Sequence, residues 1–170
     1  LIRDVYLIGA GTFGIALAAF GAGAIMGSWI SRRYGARIQP NIVLLFGPGI
    51  SVVAPVILYL VPAQGSFLPI CAAFFIIGFG PSMWLIAQNS VRQIVSPSHM
   101  LGRVNAVIQT AIYGVRPLAA VLAGTFVGTS SPQAGLMLVF VAFVLSFLAA
   151  TISGLRDVKS YEALRSAVKA

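Results

Sequence analysis

Residues Val5–Ile30 read VYLIGAGTFGIALAAFGAGAIMGSWI, and this stretch admits two folds. Its first part places Gly9, Gly11 and Gly14 in the G-x-G-x-x-G spacing of a dinucleotide-binding turn, after what passes for a short strand. Arg32 and Arg33 follow where an arginine for a 2′-phosphate would be sought. The rest of the stretch decides against that enzyme. A helix packed on a parallel sheet keeps a polar outer face, whereas Thr12–Met26 is apolar all round. Gly21, Gly23 and Gly27 continue the glycine pattern to the end of the same run, and small residues at such spacings let membrane helices approach closely. The stretch reads as one membrane-spanning helix.

The whole chain has the same character. Of 170 residues, 59% are apolar and 8% charged, with a mean hydropathy of +0.98. Soluble domains carry about 25% charged residues, so too little polar surface exists here to cover a water-facing exterior. A soluble globular domain, a disordered chain and a nucleic-acid-binding module are all excluded on this ground. One cysteine, Cys71, permits no internal disulfide, and with the single His99 it offers no metal cluster. Neither a nucleophile paired with a base nor a phosphate-binding loop is present, so the sequence points to no enzyme and no cofactor. Leu1 stands where an initiating Met would, which reads as a fragment or a processed product.

Spanning about 30 Å of hydrocarbon takes about 20 residues of helix. Five runs qualify: residues 5–30, 38–61, 68–91, 104–128 and 134–154, with a tail at 155–170. None alternates with a period of two, so helices rather than barrel strands are expected. Arg32, Arg33, Arg37, Arg92, Arg103, Arg156, Lys159, Arg165 and Lys169 fall in connectors on one side, and Arg3 alone on the other. The positive-inside rule puts the first group, and the C-terminal tail, in the cytoplasm of a plasma (inner) membrane protein. The tail has the pattern of a short amphipathic helix, with Leu155, Val158, Tyr161, Leu164 and Val168 on one side.

Arg116 is the one charge inside a run, so it should face a helix bundle or a water-filled cavity. Asn105, Gln109, Tyr113 and Arg116 are spaced to share one helical stripe. Two readings stand: a polar cavity wall that meets substrate, or an arginine paired with carbonyls freed by Pro117 or with an acid elsewhere in the protein. Trp84, Gln88 and Arg92 are likewise four apart, with Asn89 adjacent, on a helix interrupted by Pro81. Interrupted helices are where transporters build sites. Trp84 either stacks on substrate or packs beside a kink. Asp4, Asp157 and Glu162 lie outside the runs, so a proton carrier would have to sit elsewhere in the protein.

Gly27–Arg37, GSWISRRYGAR, resembles the signature loop of the major facilitator superfamily, with Ser28 at the small position, Arg33 at the basic one and Gly35 as the motif glycine. Arg32 stands where that motif has an acid, which weakens the loop's role as a latch. Gln88–Gly102, QNSVRQIVSPSHMLG, and Gly102–Gly124, GRVNAVIQTAIYGVRPLAAVLAG, look like the tenth-to-eleventh helix region of the enterobactin-exporter-like efflux branch. The resemblance covers essentially the whole chain. It implies an all-α membrane protein whose five transmembrane helices are helices eight to twelve of a twelve-helix bundle, a partial major-facilitator-type architecture. It implies export of a small amphipathic, drug- or siderophore-like molecule by alternating access, as an antiporter. It also implies missing N-terminal helices as partners beside membrane lipid. Trp84, Gln88, Asn89, Gln109, Tyr113 and Arg116 would line the cavity; Gly27, Ser28, Arg32, Arg33, Gly35 and Arg37 would form the cytoplasmic signature loop. The alternative is a non-transporting five-helix remnant or assembly subunit.

Overall fold

A computed structural model describes residues 10–35, 38–60, 67–129 and 132–153. The elements are α1 (Ala10–Tyr34), α2 (Pro40–Ser51), α3 (Val53–Leu60), α4 (Phe67–Val95), α5 (Leu101–Thr129) and α6 (Pro132–Ile152). There is no strand among the described residues. With α2 and α3 counted as one crossing, five helical segments are long and apolar enough to traverse a membrane. The architecture is therefore all-helical, as the uninterrupted apolar runs require.

The α2–α3 crossing is divided at Val52, a break that run length does not reveal. A proline explains it. Pro55 has no N–H to return to the Ser51 carbonyl, whereas Pro48 is accommodated inside α2. At the joint the Val52 N–H donates to the Gly49 carbonyl at 3.3 Å, a tighter turn than the α-helical one. The buried Ser51 hydroxyl donates to the Gly47 carbonyl at 2.8 Å. Pro55 itself falls in the first turn of α3, where an N–H would have no intrahelical partner. Pro81 acts differently: α4 continues through it, so the interruption expected there is not a break in the helix.

Helix ends run past the apolar segments. Arg32 and Arg33 lie in the last turn of α1 and Arg92 in the last turn of α4. Twenty-nine residues of α4 extend about 43 Å at 1.5 Å each, enough to reach through the headgroup layers. Charged side chains there are solvated or snorkelling and need not end the helix. Arginine at a helix C-terminus also meets the negative end of the macrodipole. The connector between α4 and α5 is thereby reduced to residues 96–100. Of the residues assigned to the signature loop, Gly27 and Ser28 lie in α1 as the first run requires, Arg32 and Arg33 continue that helix beyond the run, and Gly35 stands in a turn, its N–H bonded to the Ser31 carbonyl at 2.8 Å. Arg37, Arg3 and the tail at 155–170 lie outside the described residues.

α4 is the centre of the packing, with α1, α2 and α3 around it and α6 covering α2 and α3. Glycine makes the closest of these contacts possible. A Cβ on Gly78 would collide with the Phe20 carbonyl, and one on Gly23 with the Phe75 carbonyl. A Cβ on Gly27 would stand 2.5 Å from the Phe79 oxygen. α1 and α4 thus meet backbone to backbone, the arrangement small residues permit in lipid. Gly47 and Gly80 do the same for α2 against α4, where added side-chain carbons would collide with Trp84 and Ile50. Around these contacts Ala16, Ala54, Leu58, Ile70 and Ala73 form one apolar cluster, and Val43, Leu44, Met83 and Ala87 another. Gly11 and Gly14, from the fingerprint-like spacing, have open space beside them.

α5 stands apart. It contacts α6 sparingly, and every residue from 109 to 122 is exposed. None of its apolar span is buried among the described residues.

Candidate functional site: the polar stripe of α5 and its neighbours

Four-residue spacing carries Asn105, Gln109 and Tyr113 up one side of α5, and Arg116 follows three residues later. All four are exposed. The Arg116 guanidinium lies over the Tyr113 ring, its central carbon 5.1 Å from the ring centroid. This is the separation of a cation–π contact. It joins two of the residues singled out by sequence, but through the aromatic face rather than through a carbonyl freed by Pro117. Arg116 is exposed, so its guanidinium N–H groups remain open to bond elsewhere. Asp4, Asp157 and Glu162 are the chain's carboxylates, and all lie outside the described residues. The described bundle therefore presents arginines and no acid.

At the lower end of the stripe Asn105 accepts a 3.0 Å hydrogen bond from Arg92. This bond links the last turn of α4 to the first turns of α5 across the short connector. The spacing of Arg92 from Gln88 and Trp84 did not reveal it, because a bond between helices depends on the connector's geometry.

Trp84 is placed elsewhere. It is half-buried, packs with Val43, Leu44, Met83 and Ala87, and its Cβ lies against Gly47 of α2. It also borders a cleft of about 150 Å³ with Gly47, Pro48, Ser51, Pro81, Phe143 and Ser146. The side chain thus looks toward α2 and α6. Gln88 and Asn89 are half-buried on the next turn of α4. Trp84 and Arg116 share no contact, so the six cavity candidates do not converge on one point within the described residues.

A larger open groove, about 700 Å³, runs along α1 between Ala24, Ile25, Ser28, Trp29, Arg32 and Ile86. Sequence reading missed it, since Trp29 by itself reads as an interfacial anchor. Trp29 and Tyr34 do meet edge to face, with centroids 6.5 Å apart, at the basic end of α1. Among the described residues no group of three His, Cys, Asp or Glu could hold a metal ion. Cys71 is a free thiol, half-buried on α4.

The arrangement offers positioned hydrogen-bond donors, an aromatic-backed guanidinium and apolar grooves on membrane-length helices, which suits binding and translocation. Comparison with known proteins agrees. No curated protein and no solved structure matches this chain. The family described as transmembrane secretion effector does, over residues 1–169, which is nearly the full length and includes every candidate residue above. Membership in it brings an efflux role in the membrane and points to a transporter rather than an enzyme. The chain belongs to the transmembrane secretion effector family of major-facilitator-type transporters.

Proposed function

We propose that the chain is the C-terminal part, helices eight to twelve, of a secondary active exporter that moves a small amphipathic molecule out across the plasma membrane. The observation that carries this reading is the stripe on α5. A lone arginine at the middle of a spanning helix costs at least about 2.5 kcal/mol against lipid. Residues 109–122 are exposed in the described bundle, so the remaining helices of the protein and a water-filled cavity between the two halves are the natural cover. Alternating access then consists of rocking one bundle against the other about that cavity. The close α1–α4 contact, backbone against backbone, supports movement of these two helices as one body.

Trp84, Gln88, Asn89, Gln109, Tyr113 and Arg116 contribute to the cavity in this reading, with Trp84 acting mainly as the support between α4 and α2. Arg32 and Arg33, at the cytoplasmic end of α1, contact anionic headgroups or the facing bundle. The basic connectors and tail of the sequence support a cytoplasmic C-terminus. The test is export by the complete protein. Cells expressing it are loaded with an amphipathic fluorescent dye panel and retention is followed after energisation. At least one dye should leave severalfold faster than from cells lacking the gene, and Arg116→Gln at equal membrane abundance should remove most of the difference. Equal retention across a chemically broad panel would favour a non-transporting membrane subunit.

A further inference from the structure

We propose that the cargo is an anion, an amphipathic carboxylate whose charged group is received by Arg116 lying on Tyr113. This rests on the exporter reading above and adds the chemical class of its substrate. Three observations converge. The Arg116 guanidinium carbon lies 5.1 Å from the Tyr113 centroid and the side chain is exposed, so its N–H groups are open to a ligand. A guanidinium presented in this way matches the two oxygens of a carboxylate in a pair of parallel hydrogen bonds. Second, Arg116 is the one charge inside the five apolar runs, and the chain's three carboxylates fall outside those runs in sequence, so the charge met within the membrane by a cargo on this chain is positive. Third, the surroundings of the guanidinium on α5 sort the rest of the molecule. Gln109 lies about two turns below and offers a neutral amide, while Ile112 one turn below and Ala120 one turn above present exposed apolar surface on the same face. A carboxylate with a compact apolar body suits this combination. Asn105 is already engaged by Arg92 and belongs to the α4–α5 joint.

The experiment uses the complete native polypeptide in detergent and three probes of one shape: 1-naphthylacetate, the neutral 1-naphthylacetamide and the cationic 1-naphthylethylammonium. Binding is measured directly, and transport of the same probes is measured after reconstitution. The carboxylate should bind at least tenfold more tightly than either of the others. Arg116→Gln should bring the three within about twofold of each other. Arg116→Lys, which keeps the charge without the planar fork, should retain part of the preference and serves where the glutamine variant folds poorly. Tyr113→Leu should weaken carboxylate binding while Tyr113→Phe leaves it near the parent value. Equal binding of the three probes by the parent protein overturns the proposal, as does a carboxylate preference unchanged in both Arg116 variants. An Arg116-dependent preference without transport would uphold the anion site and contradict the exporter reading. Transport of the amide or the cation, indifferent to Arg116, would do the reverse.

Discussion

Gly78→Leu is expected to unfold the bundle. The Gly78 Cα faces the Phe20 carbonyl so closely that a single added carbon would collide with it, and the Ala24 nitrogen would stand 3.1 Å away. Both are backbone atoms within α1, so no side chain can rotate aside. Leucine requires α1 and α4 to separate along their length, which also opens the contacts made at Gly23 and Gly27. Overpacking in a tight interior costs 1–3 kcal/mol where side chains can adjust, and about 3 kcal/mol or more is expected where the obstacle is backbone. Against a total stability of about 5–15 kcal/mol, this is a large fraction. Most of the folded protein should be lost from the membrane, and what remains should melt earlier in detergent by fluorescence-detected gel filtration. Gly14→Ala is the control: nothing lies within 4 Å of its side-chain position, so abundance and melting should stay near the parent values. Equal behaviour of the two variants would mean that α1 and α4 do not meet through their glycines.

Trp84→Ala is expected to cost about 3 kcal/mol, the lower end for an aromatic truncation because the side chain is half-buried. Truncation removes the surface on which Val43, Leu44 and Gly47 of α2 rest and widens the cleft shared with Phe143 and Ser146. Trp84→Phe keeps most of that surface and should lose less than about 1.5 kcal/mol. Thermal melting of the two variants separates the roles that the sequence leaves open for this residue. A Trp84→Ala protein that melts like the parent yet no longer binds cargo would place Trp84 in the cavity instead of the α2–α4 interface.

The spans were legible because length alone carries them: about 20 apolar residues can satisfy their backbone in lipid only as a helix. Their ends were not, since charges mark where lipid stops and not where hydrogen bonding stops. Arg32, Arg33 and Arg92 therefore turned from loop residues into helical ones. The joint at Val52 was hidden for a related reason. Prolines within membrane helices are often accommodated, as Pro48, Pro81 and Pro117 are, and a crossing is divided only ahead of Pro55. Which face of each helix packs is the hardest feature to read when every face is apolar. Trp84 and Arg116 stood out by residue type, but type does not say that one rests on Gly47 and the other on Tyr113. The fingerprint-like Gly11 and Gly14 show the converse. They matched a nucleotide-binding motif in spacing, yet Gly23, Gly27 and Gly78, outside that fingerprint, make the contacts that bring α1 and α4 together.

If this bundle works against further helices of the same protein, the size of the native polypeptide in its own membranes, detected through an antibody to residues 155–170, will show it. Twelve helices with their connectors require about 400 residues, taking about 33 per helix and loop. A band of that size is predicted. A product of 170 residues, the length of the present chain, would contradict it and leave the exposed face of α5 to be covered by other subunits.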